Sequence, residues 1–389
     1  MKPTIKSLAI LLSSVALVAC QNSKDIELKP AELVPLEESI QVSKAWSVNM
    51  GGKKALKRAG LAPVGNGARV FAASSNGLVS AFDAITGKRV WQVNLGKNRG
   101  VSGGPGLGDN MVAVGTSEGE VIVLSAEDGS TKWETKVSSS VLAAPAVSAR
   151  TVVVRTNDGQ LTALDGSNGR EIWNIDRRVQ GLTSYGHAEP VLARGAVVTG
   201  FDNGKIAAVD APTGRVIWER SVSERRGRNE FERLADVDGR ITINGEDAFT
   251  VGFQGRAMLI ALPTGQPVWA QEMSSRYPVA VDWDQVFVSG NDDAVVALDR
   301  RNGVQNWKQE QLVRRSIGAP ALLGTSVIVG DYEGYMHWMS TIDGSLQART
   351  RAGNSAISAP PLVMGDMIYV QNDAGELYAF TKPATVAVP

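Results

Sequence analysis

DGQLTALDGSNGREIW, Asp158–Trp173, reads as a strand, a tight turn and a second strand. Gly159 follows a polar turn, and Leu161 to Leu164 is a short apolar run closed by Asp165. Gly169 sits in the next turn and Ile172-Trp173 opens the second run. Two short apolar runs around a turn rich in Gly, Asn and Asp signal a β-hairpin. The same pattern recurs as NGLVSAFDAITGKRVW (Asn76–Trp91), EGEVIVLSAEDGSTKW (Glu118–Trp133), NGKIAAVDAPTGRVIW (Asn203–Trp218), QGRAMLIALPTGQPVW (Gln254–Trp269) and DDAVVALDRRNGVQNW (Asp292–Trp307). A further copy, Glu333–Ala348, keeps Gly334 and Gly344 but ends in Ala, and another begins at Gly375.

The hairpins recur every 38 to 51 residues. A strand repeat of that length is a propeller blade of about four strands. Between hairpins lie a β-branched run, such as Val152-Val153-Val154 or Val327-Ile328-Val329, and before it a small-residue strand carrying Pro (Pro63, Pro105, Pro145, Pro190, Pro278, Pro320, Pro360). Proline cannot donate to a ladder, so that strand belongs at a sheet edge, the crowded axis of the ring. The last repeat, Pro360 to Phe380, has three strands, whereas Ala45-Trp46-Ser47-Val48 is a fourth strand with no hairpin before it. Joining the two predicts an eight-bladed β-propeller over residues 45–389, closed by an N-terminal strand that removes the free sheet ends. Trp46, Trp91, Trp133, Trp173, Trp218, Trp269 and Trp307 share one repeat position. They read as inter-blade core, with a sugar-stacking series as the other reading. Trp283 and Trp338 fall off the repeat and are candidates for site-specific roles.

Residues 1–19 begin with Lys2 and Lys6 and continue as an apolar run from Leu8 to Ala19, too short to span a bilayer. This is the pattern of an export signal. It ends Leu17-Val18-Ala19-Cys20, which resembles the lipobox of bacterial lipoproteins. That resemblance makes Cys20 a diacylated (palmitate-bearing) first residue, the alternative being a plain signal peptide before an incidental Cys. Cys20 is the only cysteine, so no internal disulfide can form. Gln21 in place of Asp favours outer-membrane delivery within that class. Residues 20–44, with Pro30 and Pro35 among Glu and Lys, read as a flexible tether. Without Lys2 and Lys6 the chain carries 38 basic and 40 acidic residues, a balance that gives no support for nucleic-acid binding.

The Ala-x-Asp-x-x-x-Gly-x-x-x-Trp pattern of Ala163 to Trp173 and Ala208 to Trp218 resembles the tryptophan-docking repeat of pyrroloquinoline-quinone propellers. Two families share it, the quinoprotein dehydrogenases and the BamB outer-membrane lipoproteins. The resemblance to the BamB family runs from the lipobox to the last blade and is most specific at Gly330–Trp338 and Arg233–Asp238. It implies a non-enzymatic subunit of the β-barrel assembly (BAM) machinery. That subunit would be lipid-anchored on the periplasmic side of the outer membrane, bound to the POTRA domains of BamA and in company with other BAM subunits. Strand addition at an exposed blade edge is the physical route by which unfolded outer-membrane proteins would touch it, though no residue marks it.

The enzyme alternative, a quinone-dependent dehydrogenase, resembles longer chains with a vicinal cysteine pair, and no cysteine follows Cys20 here. Asp83, Asp165, Asp210 and Asp299 fall in repeat turns, where Asp bonds local backbone. His187 and His337 are the only histidines and neither has a metal-ligand partner at helix or hairpin spacing. No catalytic residue, metal or cofactor is assigned. A periplasmic ligand-binding propeller is a further alternative, without a pocket marked in the sequence.

Two insertions break the regular spacing. Asn174–Glu189 holds Leu182-Thr183-Ser184-Tyr185-Gly186-His187, and Glu219–Arg240 is a run of mixed Arg and acidic residues. A charged run is ordinarily a solvated loop. The BamB resemblance instead implies that both contact BamA, with Leu182, Asp236 and Asp238 at matching positions. The family's Leu-x-Leu-Arg-Gly-Glu is not kept in the first insertion, so Ser184 and Tyr185 stand where its contacts lie and Tyr185 offers apolar area instead. Asp236 and Asp238 are expected on an exposed rim beside Leu182, with Val237 turned inward.

Overall fold

Asp158–Trp173 forms the strands Gln160–Asp165 and Glu171–Asp176 around a tight turn. Asp165 organises that turn: its Oδ1 accepts the Ser167 N–H at 2.8 Å, and its carbonyl accepts the Gly169 N–H at 2.8 Å. A computed structural model describes residues 29–51, 61–96, 99–177, 188–223 and 236–385. Among these residues the elements are all strands, in eight four-stranded antiparallel sheets and one two-stranded sheet. The sheets are the eight blades expected. Blades 1 to 7 cover residues 64–94, 101–136, 146–176, 191–221, 242–273, 280–309 and 321–351. Blade 8 joins Leu362–Met364, Met367–Gln371 and Glu376–Thr381 to the N-terminal strand Lys44–Asn49. Trp46 faces Ala379 in that pairing, so both ends of the chain share one sheet.

Within each blade the innermost strand is short, two or three residues in all but blade 2, and abuts its neighbours round the axis. Pro63, Pro145, Pro190 and Pro320 each stand just before that strand and Pro105 lies within it, so the missing N–H falls at an edge. The core is not a single mass. It is eight apolar layers, each between two adjacent blades. The β-branched second strands supply much of each layer, as with Val152 and Val154 toward blade 2 and Val153 toward blade 4.

In every blade the two outer strands carry a β-bulge at the Trp position. In blade 3, Ala163 faces Trp173 but Leu164 faces Glu171, which pushes Ile172 outward. Val90, Ile217 and Val268 are pushed out in the same way, which accounts for four exposed aliphatic side chains. The bulge turns each Trp onto the next blade. Its indole N–H donates to a backbone carbonyl there at 2.7–3.1 Å, in the series Ala84, Ala126, Gly166, Ala211, Leu262, Arg300 and Thr341. The ring lies on the turn glycine of the same hairpin. At Gly214 (φ +71°), a Cβ would sit 2.8 Å from the Trp173 ring, so only glycine fits. All seven Trp therefore serve as inter-blade docks.

The seam between blades 7 and 8 is built differently. Blade 8 takes its outer strand from the N-terminus, so it has no outer hairpin for a Trp to dock on. Ala348 stands at the Trp position of blade 7, and the layer is filled by Trp338, Phe380 and Ile40. Ile40–Gln41 pairs with Ala384–Thr385 as a small clasp outside the ring. Residues 29–43 are not a free tether. The Ala31 N–H bonds the Val313 carbonyl at 3.0 Å, and the Ser39 N–H bonds the Gln347 carbonyl at 2.9 Å. Arg315 and Arg349 reach the carbonyls of Ala31 and Val34, each at 3.0 Å. The tether read over residues 20–44 is thus docked from Lys29 onward, with Leu33 on the layer between blades 6 and 7 and Ile40 and Val42 on the open seam between blades 7 and 8. Cys20 and the signal segment lie outside the described residues.

Candidate partner-binding site

Turns joining first to second and third to fourth strands lie on one face of a propeller. Second-to-third turns and blade-to-blade connections lie on the other. Both insertions interrupt blade-to-blade connections, after blades 3 and 4, and their described ends (174–177 with 188–189, and 219–223 with 236–240) flank that second face. Leu182, Ser184 and Tyr185 lie outside the described residues.

The floor between the two insertions is charged and partly buried. Arg155, from the second strand of blade 3, pairs with Asp202 of blade 4. The guanidinium groups of Arg155 and Arg177 lie 5.7 and 5.8 Å from the ring centre of Phe201. Arg177 continues to Glu219 at 3.1 Å, which also receives Lys205 at 2.8 Å. Arg177 leads into the first insertion and Glu219 into the second.

Asp236 is buried, with 1% of its surface exposed, and Asp238 is half-buried. Val237 is buried as expected and packs against Gly200 of blade 4. The expectation of two acids side by side on an exposed rim is therefore corrected for Asp236. Residues 236–238 precede the strand Thr242–Asn244 and do not belong to it, so strand alternation does not govern them. The Asp236 carbonyl accepts the Phe253 N–H at 2.8 Å, which pins the segment onto blade 5. Both residues have interaction partners within the chain. Asp238 is the one with surface to offer.

Of the other singled-out residues, His337 and Trp338 serve packing and Trp283 does not. His337 and Trp338 are wholly buried in blade 7. Burial lowers the proton affinity of His337 below the ordinary imidazole value, against the pull of Asp331. Trp283 is 80% exposed at the tip of a turn on the opposite face from the insertions. Among the described residues no group of three or more His, Cys, Asp or Glu side chains is placed to hold a metal ion.

The chain matches the family described as outer membrane protein assembly factor BamB over residues 43–98 and 75–309. A protein of that name from Pseudomonas aeruginosa is 37% identical, covering 97% of this chain and 98% of its own. That of Yersinia pestis is 32% identical, with 97% and 99% covered.

The chain belongs to the BamB family.

The crystal structure of BamB from Moraxella catarrhalis superposes with a TM-score of 0.79 at 27% identity, covering 88% of this chain and all of that one. Quinohemoprotein alcohol dehydrogenase from Comamonas testosteroni superposes at 0.69 with 15% identity and covers 90% of this chain and 77% of its own; it shares the fold alone. Within the BamB frame, reading the sequence singled out the insertions, with Glu189 and Arg240 as their limits, but did not single out Arg155 on the second strand of blade 3 or Arg177. The partners of these groups are set by the neighbouring blade.

Proposed function

We propose that this chain is a non-enzymatic assembly factor for outer-membrane β-barrel proteins. It sits on the periplasmic side of the outer membrane through a lipid on Cys20 and uses the face with the two insertions to bind the POTRA domains of BamA. The carrying observation is that the two departures from a regular ring fall in consecutive blade-to-blade connections, and that their described ends are joined by the Arg177–Glu219 ion pair. A rigid ring that varies at one place offers its partner surface there. Support for a non-enzymatic reading comes from where the ionisable groups lie. Asp83, Asp165 and Asp343 bond their own turns, and the His337 cluster is closed inside blade 7.

Asp238→Ala tests the site in a binding titration against the BamA periplasmic domains, with circular dichroism as the fold control. We expect affinity to fall at least tenfold, as for loss of one partner of a close charged contact (about 2–5 kcal/mol), with the spectrum unchanged. Unchanged affinity would move the site elsewhere on the ring. Quinone absorbance in the purified chain would revive the dehydrogenase reading.

A further inference from the structure

Among the described residues, six arginines lie over aromatic rings. Arg155, Arg177, Arg300 and Arg315 each meet a carboxylate as well, those of Asp202, Glu219, Asp247 and Asp331. Arg351 donates to the Gly353 carbonyl at 3.1 Å. Arg276 stands apart. Its guanidinium lies 5.5 Å from the ring centre of Phe253, and among the described residues its side chain meets no carboxylate and makes no hydrogen bond.

Both residues belong to the face that the insertion ends flank. Phe253 is in the second-to-third turn of blade 5, between Asp247–Val251 and Gly255–Ala261. Arg276 is in the connection from blade 5 to blade 6, between Gln266–Met273 and Ala280–Val281. Both are half-buried, and neither backbone depends on the guanidinium. The Phe253 N–H bonds the Asp236 carbonyl at 2.8 Å, and the Gln254 N–H bonds Ser274 Oγ at 2.9 Å. The Tyr277 N–H bonds Ser275 Oγ at 3.1 Å, and that buried hydroxyl donates to the Ser289 carbonyl at 2.7 Å. Gly239 sits against Tyr277, where a Cβ would lie 2.7 Å from the Tyr277 carbonyl oxygen. The residues just before these two, Asp238 and Arg276, are thus carried on touching backbone.

A guanidinium steadied by a ring keeps its planar fork of donors and has less freedom to lose on binding, which suits a carboxylate. A cation with no counterion of its own, on a face whose other cations are paired, favours an anionic group on the partner. We propose that Arg276, steadied by Phe253, is a specificity-determining contact that takes a carboxylate of the POTRA domain bound at Asp238. The inference rests on the reading of this face as the partner site, and it extends that site to the connection between blades 5 and 6.

The experiment is a binding titration of the full mature chain against the BamA periplasmic domains, at low and at physiological salt. Arg276→Gln, Arg276→Lys and Arg276→Glu are compared with wild type and with Asp238→Ala, and urea unfolding is the fold control. Arg276→Gln should weaken binding about tenfold and lessen its salt dependence, as for an arginine anchor at an interface. Arg276→Lys should lose less and Arg276→Glu more, with the urea midpoint unmoved in all three. Single Asp→Lys or Glu→Lys changes across the POTRA surface should restore binding of Arg276→Glu at one position. Wild-type affinity in Arg276→Gln beside a weakened Asp238→Ala would overturn the contact and leave the partner site standing. An unchanged salt dependence, or no restoring position, would overturn the carboxylate, and a lowered midpoint in Arg276→Gln would make the residue structural. A wild-type chain that does not bind would overturn both readings.

Discussion

Asp331 is wholly buried and meets five donors. Its Oδ1 accepts the N–H groups of Glu333 and Tyr335 at 2.9 and 3.0 Å. Its Oδ2 accepts Arg315 Nε at 2.8 Å, with the Nη2 of the same guanidinium 2.7 Å away, and lies 2.9 Å from His337 Nε2. The imidazole thus carries its proton on Nε2. Burial alone would push the Asp331 carboxyl up, but His337 and Arg315 outweigh it and hold it below its ordinary value. The same burial holds His337 below its ordinary 6.5. The signs differ in pH. A histidine lowered in the folded state stabilises fully above 6.5, and that contribution declines as pH falls through 6.5 toward its lower folded value. The lowered Asp331 contributes above 3.8, and its share is lost only as pH falls through its still lower folded value. Urea unfolding across pH 7 to about 5 should therefore show a loss of stability that His337→Gln flattens, whatever that variant costs at pH 7. An equal slope in the variant would exclude His337 as the source. At the same scale, Asp236→Ala should cost stability as well as any binding, about 1–3 kcal/mol, because the residue is buried and has partners within the chain.

The dock of a bulged Trp on a turn glycine is the unit from which the ring is assembled. Trp173→Ala removes a buried indole and its 2.8 Å hydrogen bond to the Ala211 carbonyl, and should cost about 3–5 kcal/mol in unfolding free energy. Gly214→Ala attacks the same dock from the other side and should cost about 1–3 kcal/mol through clash and left-handed strain. Blade 7 reverses the outcome. Ala348 is wholly buried among Ile40, Trp338 and Phe380 with no hairpin to receive an indole. Restoring the repeat there with Ala348→Trp should destabilise by overpacking, about 1–3 kcal/mol. A stabilised Ala348→Trp protein in denaturant unfolding would show that the seam can accept a dock after all.

A ring closed by pairing its first long strand with its last sheet depends on both termini. Trp46 packs against Phe82 and Tyr369 with centroids 6.4 and 5.8 Å apart, and the Tyr369 hydroxyl also donates to the Ala84 carbonyl at 3.1 Å. Ile40 and Val42 then seal the seam that lacks a Trp. Ile40→Ala should cost about 2–4 kcal/mol, as for a buried aliphatic in any core, although Ile40 lies outside the repeat. Deleting residues 29–42 should lower the unfolding midpoint further, since the Ala31, Ser39 and Arg349 bonds go as well. A midpoint unchanged by the deletion would return this segment to the status of a mere tether.

The hairpin period, the β-branched second strands, the Pro-bearing inner strands and the Trp series are local signals, since turn chemistry and strand alternation act within a dozen residues. They determined the blade, the blade count and, through Trp46, the closure. The two insertions were legible for the same reason, as interruptions of a period. Contacts between blades are not local, and only the tertiary structure decided them. It turned Asp236 inward because residues 236–238 follow the packing of Val237 on Gly200 and not a strand period. It docked Ile40 and Val42 on blade 7 because Ala348 leaves room where six other outer hairpins end in Trp. It also brought Glu189 to Arg240 across 51 positions of chain, a pairing that neither residue's neighbours in sequence announce.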